Sequence, residues 1–270
     1  MAVGSVSERK SGHRLRRWMV TSLAVVVVLI VGLVGWTLYQ NTYDIREEKV
    51  TITGGSVPLQ GVLALPEHGD GPFGLVVFVH GDGPVDATHE TFYRPVWEAF
   101  AKAGYASLSW DKPGVNGAPG NWLDQSMDDR AAETEAAIEW ARGRSDIDPS
   151  RIGLWGASQA GWVMPKVVNL DPDVAFVIAV GPAINWLQQG EFNTLAELSE
   201  RNASADEFEK ARVDRAKNLD QLARDASFDD LVASGEADGL TEDRWNFIRK
   251  NYLSDARADL ETVKVPVLLI

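Results

Sequence analysis

The spacing of apolar residues along the chain predicts alternating strands and helices after residue 47. Continuous apolar, β-branched runs such as GLVVFVH are typical of strands buried on both faces of a sheet. Apolar residues three or four positions apart predict helices with one buried face. The predicted strands are two runs in 48–65, then 74–80, 105–111, 151–157, 174–181 and 265–270. The predicted helices are 91–103, 126–143 and 159–170.

This alternation predicts an α/β fold, with a mostly parallel, doubly wound sheet and helices on both faces. Residues 183–262 interrupt the alternation with charged, helical sequence. They are interpreted either as a solvated decoration or, as we favour, as a helical cap above the carboxyl edge of the sheet, where open α/β folds bind ligands. We therefore expect a core (47–182), a cap (183–262) and the start of a further buried core strand (263–270).

Before the α/β region, an uncharged apolar segment covers residues 18–39. About 22 helical residues at ~1.5 Å rise span roughly 33 Å, enough to cross the hydrocarbon core of a bilayer. Trp18 at one end, and Trp36 and Tyr39 at the other, are placed for the two membrane interfaces. The tail 1–17 holds five basic residues, so the positive-inside rule predicts a cytoplasmic N-terminus and an extracytoplasmic location for everything after Tyr39.

Two other interpretations of the segment 18–39 were weighed against a membrane anchor. A cleaved signal peptide has an apolar stretch of about 7–15 residues and a small-residue cleavage site. The segment is longer than that, and GWTLYQNTY at its end offers no convincing site. A buried core helix would not be apolar on every face with a basic cluster in front of it. The sequence therefore favours an uncleaved, single-pass signal anchor.

The charge of the chain argues against nucleic acid as a partner. The net charge is −13, and residues 1–40 contribute five Lys or Arg and one Glu, which leaves −17 for residues 41–270. Such a region would repel a phosphate backbone. The absence of cysteine excludes disulfides, thiolate metal sites and a cysteine nucleophile. No pair of histidines has metal-ligand spacing, so we expect neither a metal nor another cofactor.

One serine, Ser158, lies between a predicted strand and a predicted helix, among very small residues. The segment reads RIGLWGASQAGW, so that Gly156, Ala160 and Gly161 flank the serine. This pattern is typical of a nucleophile elbow, a turn so sharp that side chains two positions before and after the serine would clash. The elbow exposes the hydroxyl at the sheet edge, above the N-terminus of the next helix. Ala160 replaces the second glycine of the usual GxSxG pattern and is small enough for the turn.

A second pattern, HGDGP at 80–84, follows the apolar strand 74–80. An enzyme that transfers acyl groups needs two backbone N–H donors for the oxyanion of its tetrahedral intermediate. Gln159, the residue after the serine, is one candidate donor. Asp82 is the other, with Gly81 as the alternative. The competing interpretation of 80–84 is an ordinary turn rich in glycine and proline.

Four segments, in this order, resemble the α/β-hydrolase family: VVFVHGDGP, SWDKPGVNG, IDPSRIGLWGASQAGW and VKVPVLLI. The resemblance covers about residues 47–270 and is nearest to serine esterases, acyl-thioesterases and aminopeptidase-like members that carry a helical cap. It implies that Ser158 is the nucleophile and that the backbone N–H groups of Gln159 and Asp82 form the oxyanion hole.

The resemblance also implies a triad acid and a triad histidine that follow the serine in the chain. None of the four histidines does so: they are His13, His68, His80 and His89. By the resemblance, His80 and Asp111 have structural roles near the site. We therefore expect the acid and the base to lie beyond residue 270, and the printed residues to behave as a C-terminally truncated, inactive fragment.

These features predict a membrane-anchored serine hydrolase that cleaves an ester, thioester or amide of a small acyl substrate through an acyl-enzyme on Ser158. An acyltransferase of the same fold, with an acceptor other than water, and a non-catalytic α/β-hydrolase-like binding protein are the alternatives. The aromatic residues of the predicted cap are interpreted either as the wall of an acyl pocket or as packing within the cap; they are Trp186, Phe192, Trp245 and Phe247.

Overall fold

The computed structural model of the chain describes residues 8–270, with the side chains from residue 16 onward except those of Arg17, Leu38 and Tyr39. The predicted interface position of Tyr39 and any role of His13 therefore lie outside the described side chains. The chain divides into two compact units, which are Met1–Tyr43 and Asp44–Ile270.

The first unit contains one long helix, α1 (Glu8–Gln40). Its stretch Trp18–Thr37 has a mean hydropathy of 2.5, and none of that stretch is buried. The helix is long and apolar enough to cross a membrane, and a signal sequence near an N-terminus meets the same criteria. The structure thus supplies one candidate span where the sequence predicts it.

The second unit is built on a seven-stranded sheet. Its strands are β1 (Ile45–Ile52), β2 (Leu59–Pro66), β3 (Phe73–Val79), β4 (Tyr105–Trp110), β5 (Ile147–Ala157), β6 (Phe176–Val180) and β7 (Val267–Leu269). Their order across the sheet is β1-β2-β4-β3-β5-β6-β7. The pairs β1–β2 and β2–β4 are antiparallel, and the remaining pairs are parallel. The predicted mostly parallel α/β sheet is confirmed.

Helices cover both faces of this sheet. They are α2 (Arg94–Lys102), α3 (Met127–Arg142) and α4 (Met164–Leu170). Successive residues of β3 enter two different cores, because side chains alternate across a strand. Phe78 packs with Trp97 of α2 on one face, whereas Val77 belongs to the core that contains Ile138 of α3 and Val167 of α4. The doubly wound arrangement follows directly from the continuous apolar run of this strand.

Between β6 and β7 the chain forms five helices, called here the helical segment. They are α5 (Trp186–Glu200), α6 (Ala205–Ala223), α7 (Phe228–Ser234), α8 (Glu242–Asn251) and α9 (Arg257–Thr262). Ser204 and Ser227 cap the N-termini of α6 and α7 with complete capping boxes. Leu231 and Trp245 form a small core inside the segment. The domain boundaries at 183 and 262, and the role of this segment as a cap, stay predictions.

Two local features are not evident from the sequence pattern. The predicted helix 159–170 begins as a 3₁₀ helix, Ser158–Trp162, and becomes α-helical only at α4, where Pro165 occupies the first turn. The strand at the end of the chain, β7, pairs parallel with β6. Each residue of β7 is at least 40% exposed, since the strand lies at the edge of the sheet in the described chain.

Candidate active site

The structure places Ser158 at the junction that the sequence predicts. Strand β5 ends at Ala157, and a 3₁₀ helix begins at Ser158 itself. The serine has a φ of +53°, in the left-handed region that a residue with a side chain rarely adopts. Its carbonyl oxygen accepts a hydrogen bond from the N–H of Ala183, at 2.8 Å, which helps to hold this backbone conformation. A strand, a strained serine and a helix in succession are the geometry of a nucleophile elbow.

The small residues around the serine are required by close packing. A Cβ atom on Gly156 would lie 2.5 Å from the Cβ of Ala160 and 2.8 Å from the carbonyl oxygen of Val79. A Cβ atom on Gly161 would lie 2.4 Å from the carbonyl oxygen of Ala183. Ala160 itself is fully buried and fits, because its neighbour across the turn is a glycine. The replacement of the second glycine by alanine is therefore compatible with the elbow.

The loop 80–84 lies beside this turn. Strands β3 and β5 are parallel neighbours, so their carboxyl ends meet at one edge of the sheet. A Cβ atom on Gly81 would lie 3.7 Å from the Cβ of Ser158. Within residues 8–270, the N–H of Asp82 donates to no other group. Gln159 lies in the first turn of the 3₁₀ helix, where N–H groups lack partners within the helix. The fold thus brings both predicted donor residues close to the serine.

Two buried basic side chains, Lys112 and Arg130, bind the carbonyl groups of this loop, and the sequence analysis missed both. Lys112 donates from Nζ to the carbonyl oxygens of Gly81, at 2.6 Å, and Gly83, at 2.9 Å. Arg130 of α3 donates to the carbonyl oxygen of His80 and to the side-chain oxygen of Gln159. Burial, followed by the nearby charge of Arg130, lowers the pKa of Lys112 to about 6. The only sequence signal for Lys112 was its place directly after β4, in SWDKPG.

The side chain of Asp82 connects the loop to the helical segment. It accepts two hydrogen bonds from the guanidinium of Arg244 on α8, at 2.9 and 2.7 Å. It also accepts one from the side-chain amide of Gln159, at 3.2 Å. Partial burial raises the pKa of Asp82, but the hydrogen bonds and charge of Arg244 outweigh it and hold this pKa below its usual value. The carboxylate is therefore ionised at neutral pH.

His80 is buried and has a structural position, as the resemblance implies. Its Nε2 lies 2.6 Å from the carbonyl oxygen of Trp110, which can only accept, so Nε2 carries the proton. Its Nδ1 then accepts from the hydroxyl of Tyr93, at 3.0 Å. Burial, followed by the charge of Lys112, lowers the pKa of His80 to about 3. The ring is neutral at physiological pH and both of its nitrogens are occupied.

Two further polar residues near the site, His89 and Asp111, also have structural contacts. His89 stacks on Tyr93, with ring centroids 5.2 Å apart, and within the described chain neither it nor His68 hydrogen-bonds to Ser158. Asp111 accepts from the N–H of Ala87, at 2.8 Å, and so organises the loop that precedes α2. This is the structural position that the sequence analysis predicts for Asp111.

A cavity of about 220 Å³ opens beside the serine. Ser158 and Asp82 line it on the core side, and Trp186 and Arg244 line it on the side of the helical segment. Trp186 stacks on Trp162, with ring centroids 4.9 Å apart. Of the other aromatic residues proposed for a pocket wall, Trp245 and Phe247 are buried in packing and Phe192 is 70% exposed. In the part of the chain that the structure describes, no three His, Asp or Glu side chains could hold a metal ion together.

Comparison with known proteins identifies the family of the chain. The sequence profile of the family described as X-Pro dipeptidyl-peptidase (S15 family) matches residues 38–270. A putative phosphoribosyl transferase of Mycobacterium tuberculosis (strain CDC 1551 / Oshkosh) is 32% identical over 132 residues, which are 48% of this chain and 28% of that protein. Probable dipeptidyl-aminopeptidase B of Sordaria macrospora is 27% identical over 164 residues, 55% of this chain and 17% of that protein.

Among solved structures, the dienelactone hydrolase of Anabaena variabilis ATCC 29413 is similar, with a TM-score of 0.43 and 25% identity over 52% of this chain and 65% of its own. The matched regions cover less than a third of the length of these two curated relatives. The family profile, in contrast, covers most of the chain, and its match agrees with the parallel sheet and the elbow at Ser158. The chain belongs to the X-Pro dipeptidyl-peptidase (S15) family, a serine-hydrolase-type family with the α/β-hydrolase fold.

Proposed function

We propose that the protein is a membrane-anchored serine hydrolase that cleaves an ester, thioester or amide through an acyl-enzyme on Ser158. The observation that carries the proposal is the strained serine, with a φ of +53°, between β5 and the 3₁₀ helix. The uncharged stretch of α1 supports the membrane anchor. The description of the family, a dipeptidyl-peptidase, supports an amide among the substrates.

The proposed mechanism uses two backbone donors close to the serine. The Oγ of Ser158 attacks the carbonyl carbon of the substrate while a general base takes the hydroxyl proton. The oxygen of the tetrahedral intermediate accepts hydrogen bonds from the N–H groups of Gln159 and Asp82. The proton passes to the leaving group as the acyl bond breaks, and water then releases the acyl group by the same steps. Loss of one such donor typically costs 10²–10³ in kcat.

The proposal requires a general base that the described histidines do not supply. His80 is neutral and engaged with Trp110 and Tyr93, and His89 stacks on Tyr93. Without a base, the serine hydroxyl is a weak nucleophile, because its own pKa lies far above neutral pH. We therefore propose that residues 40–270 by themselves turn over an aryl ester far more slowly than an enzyme with a complete triad.

Substitution of Ser158 tests the nucleophile. In the full-length protein, Ser158→Ala should abolish covalent labelling by a fluorophosphonate and lower hydrolysis of an aryl ester at least 10³-fold, because no other nucleophile is proposed. The thermal unfolding midpoint should change little, since alanine fits the same turn. Ser150→Ala is the matched control. Ser150 lies in the same strand and is exposed, and its hydroxyl donates a hydrogen bond only to the nearby carboxylate of Asp148.

The same measurements distinguish a hydrolase from an acyltransferase and from a non-catalytic binding protein. Retention of more than a few per cent of wild-type turnover by Ser158→Ala would contradict the nucleophile. Labelling of the wild-type protein without hydrolysis, but with acyl transfer to an added alcohol or amine, would indicate an acyltransferase. Absence of both labelling and turnover in the folded, full-length protein would indicate a non-catalytic binding protein.

A further inference from the structure

The side chain of Lys112 is buried beneath the loop 80–84 and is 2% exposed. Its Nζ donates to two acceptors in that loop, the carbonyl oxygens of Gly81 and Gly83. Its own backbone N–H donates to the carbonyl oxygen of Val85, at 3.1 Å. The Nζ atom lies over the ring of Trp122, 4.8 Å from the ring centroid. Lys112 is therefore held in place by the two loop carbonyls, by the backbone of Val85 and by the ring of Trp122.

The carbonyl held by Lys112 belongs to the same peptide unit as the proposed donor. The peptide group between Gly81 and Asp82 is planar, and in a trans peptide the C=O and N–H bonds point in opposite directions. Because Lys112 binds the C=O of Gly81, the N–H of Asp82 is directed away from Lys112. That N–H has no partner within residues 8–270, so it is available to a substrate.

Without the hydrogen bonds from Lys112, the peptide unit between Gly81 and Asp82 could rotate. Gly81 lacks a Cβ atom, and Gly83 adopts a φ of +98°, so both positions allow conformations that other residues do not. A rotation of the peptide plane would turn the carbonyl of Gly81, instead of the N–H of Asp82, towards the developing oxyanion. Two hydrogen bonds from one buried side chain oppose that rotation, since rotation would leave a buried donor unsatisfied.

We propose that Lys112 is the positioning residue of the oxyanion hole, which holds the peptide unit 81–82 so that the N–H of Asp82 is aligned before substrate binds. The inference rests on the proposed hydrolase function. Arg130 holds the preceding peptide unit in the same way. It donates to the carbonyl oxygen of His80, which belongs to the same peptide unit as the N–H of Gly81.

Lys112→Met tests this role in the full-length protein, because methionine keeps an unbranched apolar side chain and removes the donors. We expect kcat per active site to fall roughly 10²-fold, while KM for an aryl ester stays within about two-fold. The affinity for a boronic acid, which forms a tetrahedral adduct on serine, should fall by a factor similar to that of kcat/KM, because only interactions stronger in the transition state affect both.

The control is Lys166→Met. Lys166, on α4, is half-buried and pairs with Asp128 and Asp259, away from the loop. Its kinetics and boronate affinity should equal those of the wild type. Active-site titration normalises all rates, so that a loss of folded enzyme is not counted as a loss of kcat. If Lys112→Met does not fold, Lys112→Gln, with a shorter uncharged side chain, should give a smaller loss of the same kind.

The outcomes separate the inference from the function on which it rests. Wild-type kcat and boronate affinity in both Lys112 variants would overturn the positioning role, even if Ser158→Ala is inactive. An increase in KM with kcat unchanged would also overturn it, since that result indicates a contact made equally with substrate and transition state. If the wild-type protein shows no turnover that depends on Ser158, the proposed function itself is contradicted.

Discussion

The surrounding contacts fix the backbone conformation of Ser158 and the protonation state of His80. A left-handed backbone conformation is unfavourable for a serine and persists only where surrounding contacts require it. His80 is held neutral within a closed environment, between the carbonyl oxygen of Trp110 and the hydroxyl of Tyr93. Such a buried, neutral histidine couples the stability of the fold to pH.

We expect His80 to destabilise the protein in acid. Its pKa is about 3 in the folded state and close to 6.5 in the unfolded chain. Between these values the unfolded state binds more protons, so the free energy of unfolding falls as the pH drops from 6.5 towards 3. From pH 7 to pH 4, the wild type should lose roughly 3 kcal/mol more than His80→Gln.

Urea unfolding at the two pH values measures this difference. Gln retains an N–H donor and an acceptor but does not titrate, and its own effect cancels because only the change with pH is compared. His68→Gln is the control, since His68 is exposed and should leave the pH dependence unchanged. Equal acid sensitivity of the wild type and His80→Gln would contradict the assignment.

At the scale of elements, the elbow depends on the approach of the 3₁₀ helix to β3 and β5. Gly156 and Ala160 face each other so closely that only one of the two positions can carry a methyl group. A contact from outside the helix accompanies the 3₁₀ conformation: the carbonyl oxygen of Ser158 accepts a hydrogen bond from the N–H of Ala183. The N–H of Val163 bonds to Ala160, three residues back. A regular α-helix therefore begins only at α4.

This contact predicts that Gly156→Ala destabilises the protein by about 3 kcal/mol or more, because the added methyl group would overlap with the backbone of β3 and with Ala160. Gly143→Ala is the matched control. Gly143 has a φ of −74°, and its added Cβ atom would approach no atom closer than 3.4 Å. It should change stability by less than about 1 kcal/mol. Equal unfolding midpoints for the two variants would show that the elbow relaxes at little cost.

At the scale of the whole molecule, an acidic α/β unit follows a helix that carries an exposed apolar stretch of 20 residues. An apolar surface of that kind is favourable in lipid and unfavourable in water. The basic residues of the tail 1–17 and the acidic residues after the stretch give the two ends opposite charge. We propose that the chain spans the membrane once, with the α/β unit outside the cytoplasm.

Reporter fusions test this orientation. A reporter enzyme that is active only outside the cytoplasm should be active when it is fused after residue 50, because the positive-inside rule retains the basic tail in the cytoplasm. The same position should leave a reporter that needs the cytoplasm inactive. Replacing the five basic residues of 1–17 by Gln should weaken or invert the result. Activity of the cytoplasmic reporter alone would contradict the orientation, and a shortened mature protein would indicate a cleaved signal.

The sequence by itself determined the features that depend on local pattern. Hydrophobic periodicity gave the strands of the sheet and their mostly parallel arrangement, because a strand buried on both faces must be apolar along its whole length. The small residues around Ser158 predicted the elbow, since its steric requirement acts within five positions of the chain. The apolar segment 18–39 predicted a candidate span for the same reason, because that criterion uses only length and composition.

Only the tertiary structure decided which polar groups complete the site. Lys112 meets Gly81 across 31 positions of the chain, and Arg244 meets Asp82 across 162. No local pattern marks such pairs, because a lysine or arginine in the sequence is as compatible with solvent as with burial. The edge position of β7 in the described chain likewise depends on which strands pair with it, whereas an apolar run shows only that a strand can be buried.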